Sequence, residues 1–311
     1  MHSLKKLLYI SFLFLCTGFF NFLFAQKIGV LTGPSGIPCS YLMENKSELQ
    51  FEVFSSAQQL LPKLLKGEID AGFLPPNVAA KAYNNSSALV CLAITGNGNI
   101  YLISKNPEIK LLQDLKGKKI ACAGMGATPE YVTRYLLNAL NVKDVELDYS
   151  TPNPQIAAMV SEGKFECAIV PEPFATVAAS KDSSIKIVEN LSSVYEKLSP
   201  AGTGSFPMTL FVANKKYADS HKSELKKLAA EVKKAGEWTL KNPEKAGKLA
   251  EKHNIGLKAT VAEKAIPNCN FTFVPVSSKK CRDRIETLLS IFMEFDPKST
   301  GGKLPDQDFY R

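Results

Sequence analysis

Residues 61–80, LPKLLKGEIDAGFLPPNVAA, and residues 157–179, AAMVSEGKFECAIVPEPFATVAA, follow one pattern. In each, an amphipathic helix stops at a glycine (Gly67, Gly163), an apolar strand-like run follows, and a proline-rich turn opens a helix of small residues. Glycine just past a helix end takes the left-handed conformation that closes it, and proline suits the first helical turn, where its missing N–H has no partner to lose. A strand–turn–helix signature precedes each copy: KIGVLTGPSGIP (27–38) before the first and KKIACAGMGATPE (118–130) before the second. Strands alternating with helices build parallel sheets, and open parallel sheets take ligands beyond the carboxyl ends of their strands. Two such units in tandem predict an α/β fold of two lobes whose strand-end turns share a cleft. At 311 residues, 45% hydrophobic and 22% charged, the chain has the length and composition for two cores and not those of a disordered, collagenous or coiled-coil chain.

Two segments lie where the chain would pass between lobes. ITGNGNIYLISKN (94–106) and GTGSFPMTLFVANKKY (202–217) are each a turn running into a strand. This predicts lobe one from 27–103 plus 207–311 and lobe two from 104–206, with crossings near Tyr101–Lys105 and Phe206–Thr209. Helices are predicted over 222–241, 243–253, 259–266 and 280–295, and the charges of 222–252 read as a solvated helix face.

The first 25 residues, MHSLKKLLYISFLFLCTGFFNFLFA, combine a basic start with an apolar stretch and Leu23 and Ala25 at the −3 and −1 cleavage positions, a signal peptide cut near Ala25. Leu15 before Cys16 is too bulky for a good lipobox. The net charge of +8 comes from 38 basic and 30 acidic residues spread along the chain, which marks no nucleic-acid footprint. Three histidines, of which His2 falls in the leader, nearly exclude a multi-histidine metal site or a histidine-based triad, leaving no metal or cofactor implied. Six cysteines follow the leader. Cys91, Cys122 and Cys167 sit in strand-like runs as buried thiols, and Cys269 and Cys281, in a loop-rich segment, are the best disulfide candidates in an oxidising compartment.

DLKGKKIACAGMGATPEYV, GKFECAIVPEPF and GGKLPDQDFY resemble the solute-binding proteins of ABC importers, in the group that binds sulfonates, taurine, nitrate and thiamine pyrimidines. GPSGI, LPPNVAAKAYN, IPNCN and KSTGGKLPDQDFY match one branch of that group, and the resemblance spans 27–311. It implies a type II periplasmic-binding-protein fold: two lobes, each a mixed sheet flanked by helices, joined by a two-strand hinge and closing on a small molecule. It also implies delivery of that molecule to an ABC permease and its ATPase by a monomer. The histidine and cysteine-rich motif of the thiamine-pyrimidine synthases is absent, and ITGNGN (94–99) stands where related chains carry an aromatic residue.

The candidate ligand residues follow from the turns. GMGATPEY places Ala127 and Thr128 at a helix start, with Thr128 as N-cap, Pro129 next and Tyr131 one turn in; free N–H groups there would suit an anion or polar group. Gly33, Pro34, Ser35 and Gly36 make the equivalent turn in lobe one, read either as ligand contacts or as a tight turn. Pro75, Pro76 and Asn77 end a lobe-one strand; Glu172 and Phe174 follow its counterpart, with Glu172 either neutralising a cationic group or capping the next helix. Asn97 and Asn99 at the first crossing are polar contacts or turn residues, and Phe206 at the second is an aromatic wall or core. The leading function is solute binding for import. The alternatives are a ligand-sensing adaptor or an exported enzyme using the same cleft, for which no nucleophile elbow, HExxH or kinase signature is present.

Overall fold

A computed structural model describes residues 25–199 and 204–311. The leader assigned to 1–25 lies outside the described residues except for Ala25. Among the described residues the strands in chain order are β1 (Gln26–Leu31), β2 (Leu49–Phe54), β3 (Ala71–Leu74), β4 (Leu89–Asn97), β5 (Ile100–Ser104), β6 (Lys119–Cys122), β7 (Glu146–Asp148), β8 (Cys167–Pro171), β9 (Lys186–Asn190), β10 (Pro207–Asn214) and β11 (Phe271–Pro275). The helices are α1 (Ile37–Asn45), α2 (Ala57–Lys66), α3 (Pro76–Ser86), α4 (Thr128–Ala139), α5 (Asn153–Ser161), α6 (Phe174–Lys181), α7 (Leu191–Leu198), α8 (Lys215–Ser220), α9 (Lys222–Lys241), α10 (Pro243–Lys252), α11 (Ala259–Ala265) and α12 (Lys279–Phe295).

The strands form two mixed sheets flanked by helices, a two-lobed α/β fold. The first has the order β11-β4-β10-β3-β1-β2 and the second β7-β6-β8-β5-β9. In the first, β1 runs parallel to β2 and β3, while β10 lies antiparallel between β3 and β4. In the second, β6 runs parallel to β7 and β8, and β5 lies antiparallel between β8 and β9. The two repeated units occupy equivalent places: α2–Gly67–β3–α3 in one lobe and α5–Gly163–β8–α6 in the other, with both glycines at positive φ. The four predicted tail helices appear as α9, α10, α11 and α12, each end within a residue of its expected place.

The first sheet is buried on both faces. Val90 and Ala93 of β4 enter a core with α1, α9, α10 and α11, whereas Leu89, Cys91 and Ile94 enter the opposite core with α2, α3 and Tyr310. This two-sidedness separates the proposed cysteine pair. Cys269 packs in the first of these cores and Cys281 in the second, and all six described cysteines are free and buried.

Two further findings differ from the sequence reading. β5 belongs to the second sheet, so the chain leaves the first sheet at Gly98–Asn99 rather than near Tyr101–Lys105. The run from Leu89 to Ser104 alternates little in hydrophobicity because both strands are buried on both faces, and only Gly98 and Asn99 mark the break. Second, α12 serves both lobes: Cys281, Ile285 and Leu289 pack in a first-lobe core, while Leu288, Ile291 and Phe292 pack in the second-lobe core beside Tyr131 and Phe206.

Candidate functional site

The two crossings run side by side. Pro207 of β10 pairs with Asn97 of β4, and the Gly98 N–H donates to Ser205 Oγ at 3.1 Å. Gly98 is required here, because a Cβ would sit 2.5 Å from the Phe206 ring. Arg284 of α12 braces both segments from behind: its Nε donates to the Ser205 carbonyl at 2.8 Å and its Nη2 to that carbonyl and to Asn97 Oδ1. The guanidinium is only 5% exposed, and burial lowers its pKa from the ordinary value. On the other side Asn270 receives the Asn97 N–H at its carbonyl and donates its side-chain amide to the Gly98 carbonyl.

A narrow slot opens in front of these crossings. Its walls are Pro34, Ser35, Pro38, Cys39 and Leu42 from the first strand-end turn and α1, Phe73 from β3, and Thr95, Gly96, Asn97 and Asn99 from the first crossing. Met208, Thr209, Cys269, Phe271 and Thr272 close the far side, with Val232, Ala235 and Gly236 of α9 along the edge. Its volume is about 30 Å³, room for a water or two. No Lys, Arg, Asp, Glu or His lines it among the described residues. Asn99 is 6% exposed and its Oδ1 has no hydrogen-bond partner. A second groove lies between the lobes, where Leu61, Leu65, Asn77 and Lys81 face Gly126, Tyr131 and Asp296. Asn77 is 7% exposed, and its Oδ1 is likewise unpartnered.

Of the candidate residues, the slot therefore gathers Pro34, Ser35, Asn97 and Asn99, and the groove gathers Asn77 and Tyr131. The others shape the surroundings. Gly33 turns the chain at φ 90°, and a Cβ on Gly36 would meet the Leu31 carbonyl at 2.5 Å. Pro75 and Pro76 start α3. Thr128 is the first residue of α4, not its cap: Ala127 holds the N-cap position without a side-chain bond. The Glu130 carboxylate instead reaches back to accept the Gly126 N–H at 2.7 Å, and Arg134 pairs with its other oxygen at 2.8 Å. Tyr131 packs at a tilt against Phe292, with ring centroids 4.7 Å apart. Phe206 is fully buried against Tyr195 and lines neither space, and Phe174 packs on the second-lobe core. Proximity to a crossing gave Phe206 its candidacy and the strand-end turn gave Phe174 its own, but the apolar face under each is core.

Glu172 caps. Its carboxylate accepts the Thr176 N–H at 3.2 Å and the Thr176 hydroxyl at 2.9 Å, while its own N–H donates to the Asn99 carbonyl at 2.9 Å. It is 2% exposed, and burial raises its pKa against the lowering effect of Thr176 and Asn268. Its charge lies beside Cys269, which burial and that charge push well above the ordinary thiol value. Cys39, at the other wall, is raised by burial too. Neither slot thiol is a thiolate at neutral pH, so neither is an activated nucleophile.

A model of the NMT1-like family matches residues 18–253, more than half of the chain. The chain belongs to the NMT1-like family. This member is 25% identical over 250 residues to a putative aliphatic sulfonates-binding protein of Escherichia coli (strain K12), covering 76% of this chain and 73% of that protein. Its fold matches the crystal structure of an ABC transporter protein from Parabacteroides distasonis with TM-score 0.78 and 26% identity, over 92% of this chain and 98% of that one. It also matches the periplasmic aliphatic sulphonate binding protein SsuA from Escherichia coli with TM-score 0.71 and 20% identity, over 90% and 92% of the two chains. Against this family background, the sequence reading missed Arg284, Asn270 and the α9 wall. Their motifs lie far along the chain from the repeated units, and the spacing of Val232, Ala235 and Gly236 reads as ordinary helix packing.

Proposed function

We propose that this chain is the exported solute-binding component of an ABC importer, capturing a small molecule between its lobes and delivering it to a permease and its ATPase. The carrying observation is the groove between the lobes, where Leu61, Leu65, Asn77 and Lys81 face Gly126 and Tyr131, since a ligand held there touches both of the parts that move when the lobes close. Differential contact with the closed state is all that such capture requires. The family and the names of its relatives support the same reading. The lobes in this proposal are residues 26–97 with 207–275, and 100–198, bridged by α12; residues 1–25 are a leader cut near Ala25, and the protein acts as a monomer.

The reading includes binding without turnover. The histidines support this: His221 stacks on Tyr217 and His253 pairs with Glu44, both on the outer surface of the first lobe. The test is native mass spectrometry of the protein expressed from its full-length sequence and purified gently. A stoichiometric small molecule released on denaturation is the expected result, with calorimetric rebinding after it is stripped. A chain that releases and binds nothing overturns the proposal.

A further inference from the structure

A third groove lies on the first lobe, away from the crossings. β10 leaves them at Pro207 and ends at Asn214, just before α8, and the groove sits beyond it, between α9 and the edge strand β11. Its volume is about 310 Å³, the size of a small-molecule site at the lower end of the range of roughly 300–1,000 Å³. The floor is apolar: Leu92 of β4 and Phe273 of β11 lie against Leu225 and Ala229 of α9. The rim is basic. Lys222 and Lys226 share a helix face with Leu225 and Ala229, because residues three and four apart are neighbours, and Arg311 stands at the same opening. No Asp or Glu lines the groove among the described residues.

These cations are not spent on the fold. Lys222 and Lys226 are exposed, and among the described residues neither forms an ion pair. Lys222 is also the first residue of α9, the end at which the helix dipole disfavours a cation. Arg311 bonds Asp219 at 2.5 Å and lies 4.0 Å from Asp308, while Asp219 is shared with Lys215 at 2.6 Å. The acid of the first turn, Glu224, is two positions from Lys222 and off the groove face. Positive charge is thus in excess around an apolar trough. An occupant with an alkyl chain and an acid head answers both features, since the chain covers the floor and the head neutralises the rim. We propose that this groove is a second ligand site that takes a small anionic amphiphile, its single alkyl chain along Leu92, Leu225 and Phe273 and its acid head at Lys222, Lys226 and Arg311. Neither other space has this makeup: the slot is lined by no charge, and the groove between the lobes sets Lys81 beside Asp296. The site stands apart from solute capture and does not depend on the importer reading.

The experiment is calorimetry of decanoate on the chain, beside decylammonium and propionate. The expected result is one decanoate per chain with a Kd of about 0.1 mM or tighter, weakened by added salt as exposed charges are screened. Decylammonium, which has the chain without the anion, and propionate, which has the anion without the chain, should each bind about tenfold more weakly or worse. Lys222→Glu combined with Lys226→Glu should lose about tenfold or more in decanoate affinity at an unchanged melting temperature, since both side chains are exposed. Ala229→Phe should fill the trough and lose decanoate as well; should that variant melt early, the lysine pair carries the test. A chain that binds no decanoate below about 1 mM, that takes decylammonium equally well, or that keeps full affinity after both lysine substitutions overturns the inference. So does a chain that ignores decanoate but floats with phosphatidylglycerol vesicles, because the face would then be a membrane contact. None of these outcomes bears on the importer reading, which the mass spectrometry of the released solute tests by itself.

Discussion

Glu130 and Glu172 do the same work in the second lobe: each is a carboxylate that satisfies backbone donors at the start of a helix. Replacing Glu130 by Ala leaves the Gly126 N–H without its acceptor and Arg134 without its partner, and should lower stability by about 1 kcal/mol, read from urea unfolding of the solute-free chain. Glu172 adds a pH dependence. Burial raises its folded pKa above the unfolded value, so the folded state binds its proton more tightly. Stability from this group is therefore fully present below the unfolded pKa and declines as pH rises through the folded one. Unfolding free energies compared with Glu172→Gln across pH 4–8 (about the carboxylate-to-neutral range) should show the unaltered chain losing ground to the variant as pH rises; a constant difference would mean the carboxyl titrates normally. At this scale the sequence was legible in part. Pro34, Ser35, Asn97 and Asn99 could be found because turns after strands are short and announce themselves by glycine, proline and asparagine. Thr128 was misplaced by one residue as a cap, since Thr-Pro-Glu fits a helix start in two registers and only the reach of Glu130 to the Gly126 N–H distinguishes them.

At the scale of elements, α12 is the part whose position no local pattern discloses. Its periodicity predicts a helix, and the helix is there, but a hydrophobic stripe does not say which core it enters. Leu289 and Leu288 are neighbours in sequence and belong to different lobes. The same limit applies to β4 and β5, where two doubly buried strands read as one apolar run. Cys269 and Cys281 show the complementary limit, for twelve residues of spacing cannot reveal that a sheet lies between them. The straddling helix makes a specific prediction. Phe292 is fully buried among second-lobe side chains although its helix begins on the first lobe. Phe292→Ala should cost about 3–5 kcal/mol, and the loss should appear in hydrogen exchange of β6 and α4 as well as of α12. Protection lost in α12 alone would mean that the helix does not couple the lobes.

For the molecule as a whole, the narrowness of the slot decides what entry requires. With room for a water or two between Ser35, Asn99 and Phe271, a solute of any size reaches Asn99 only after the walls separate. Apart from Asn99 every lining residue lies in the first lobe, so the walls that must part are the first strand-end turn with α1 on one side and the crossings on the other. A bulky side chain at the mouth of the slot should therefore block the solute-bound state while leaving each lobe intact. Ser35 is the suited position: it is partly exposed on a 3-10 turn and lines the slot, and its recorded contact with the core is through its carbonyl, which accepts from Cys39 Sγ. Ser35→Trp is expected to change apo stability by no more than about 0.5 kcal/mol, as for a surface substitution. The solute that the unaltered chain carries should no longer raise its melting temperature. At a solute concentration about 100 times Kd the unaltered chain gains about 2.7 kcal/mol from binding, a shift that thermal melts resolve easily. If Ser35→Trp melts normally and still gains that stabilisation, the solute is held elsewhere, and the groove between Asn77 and Tyr131 becomes the place to look.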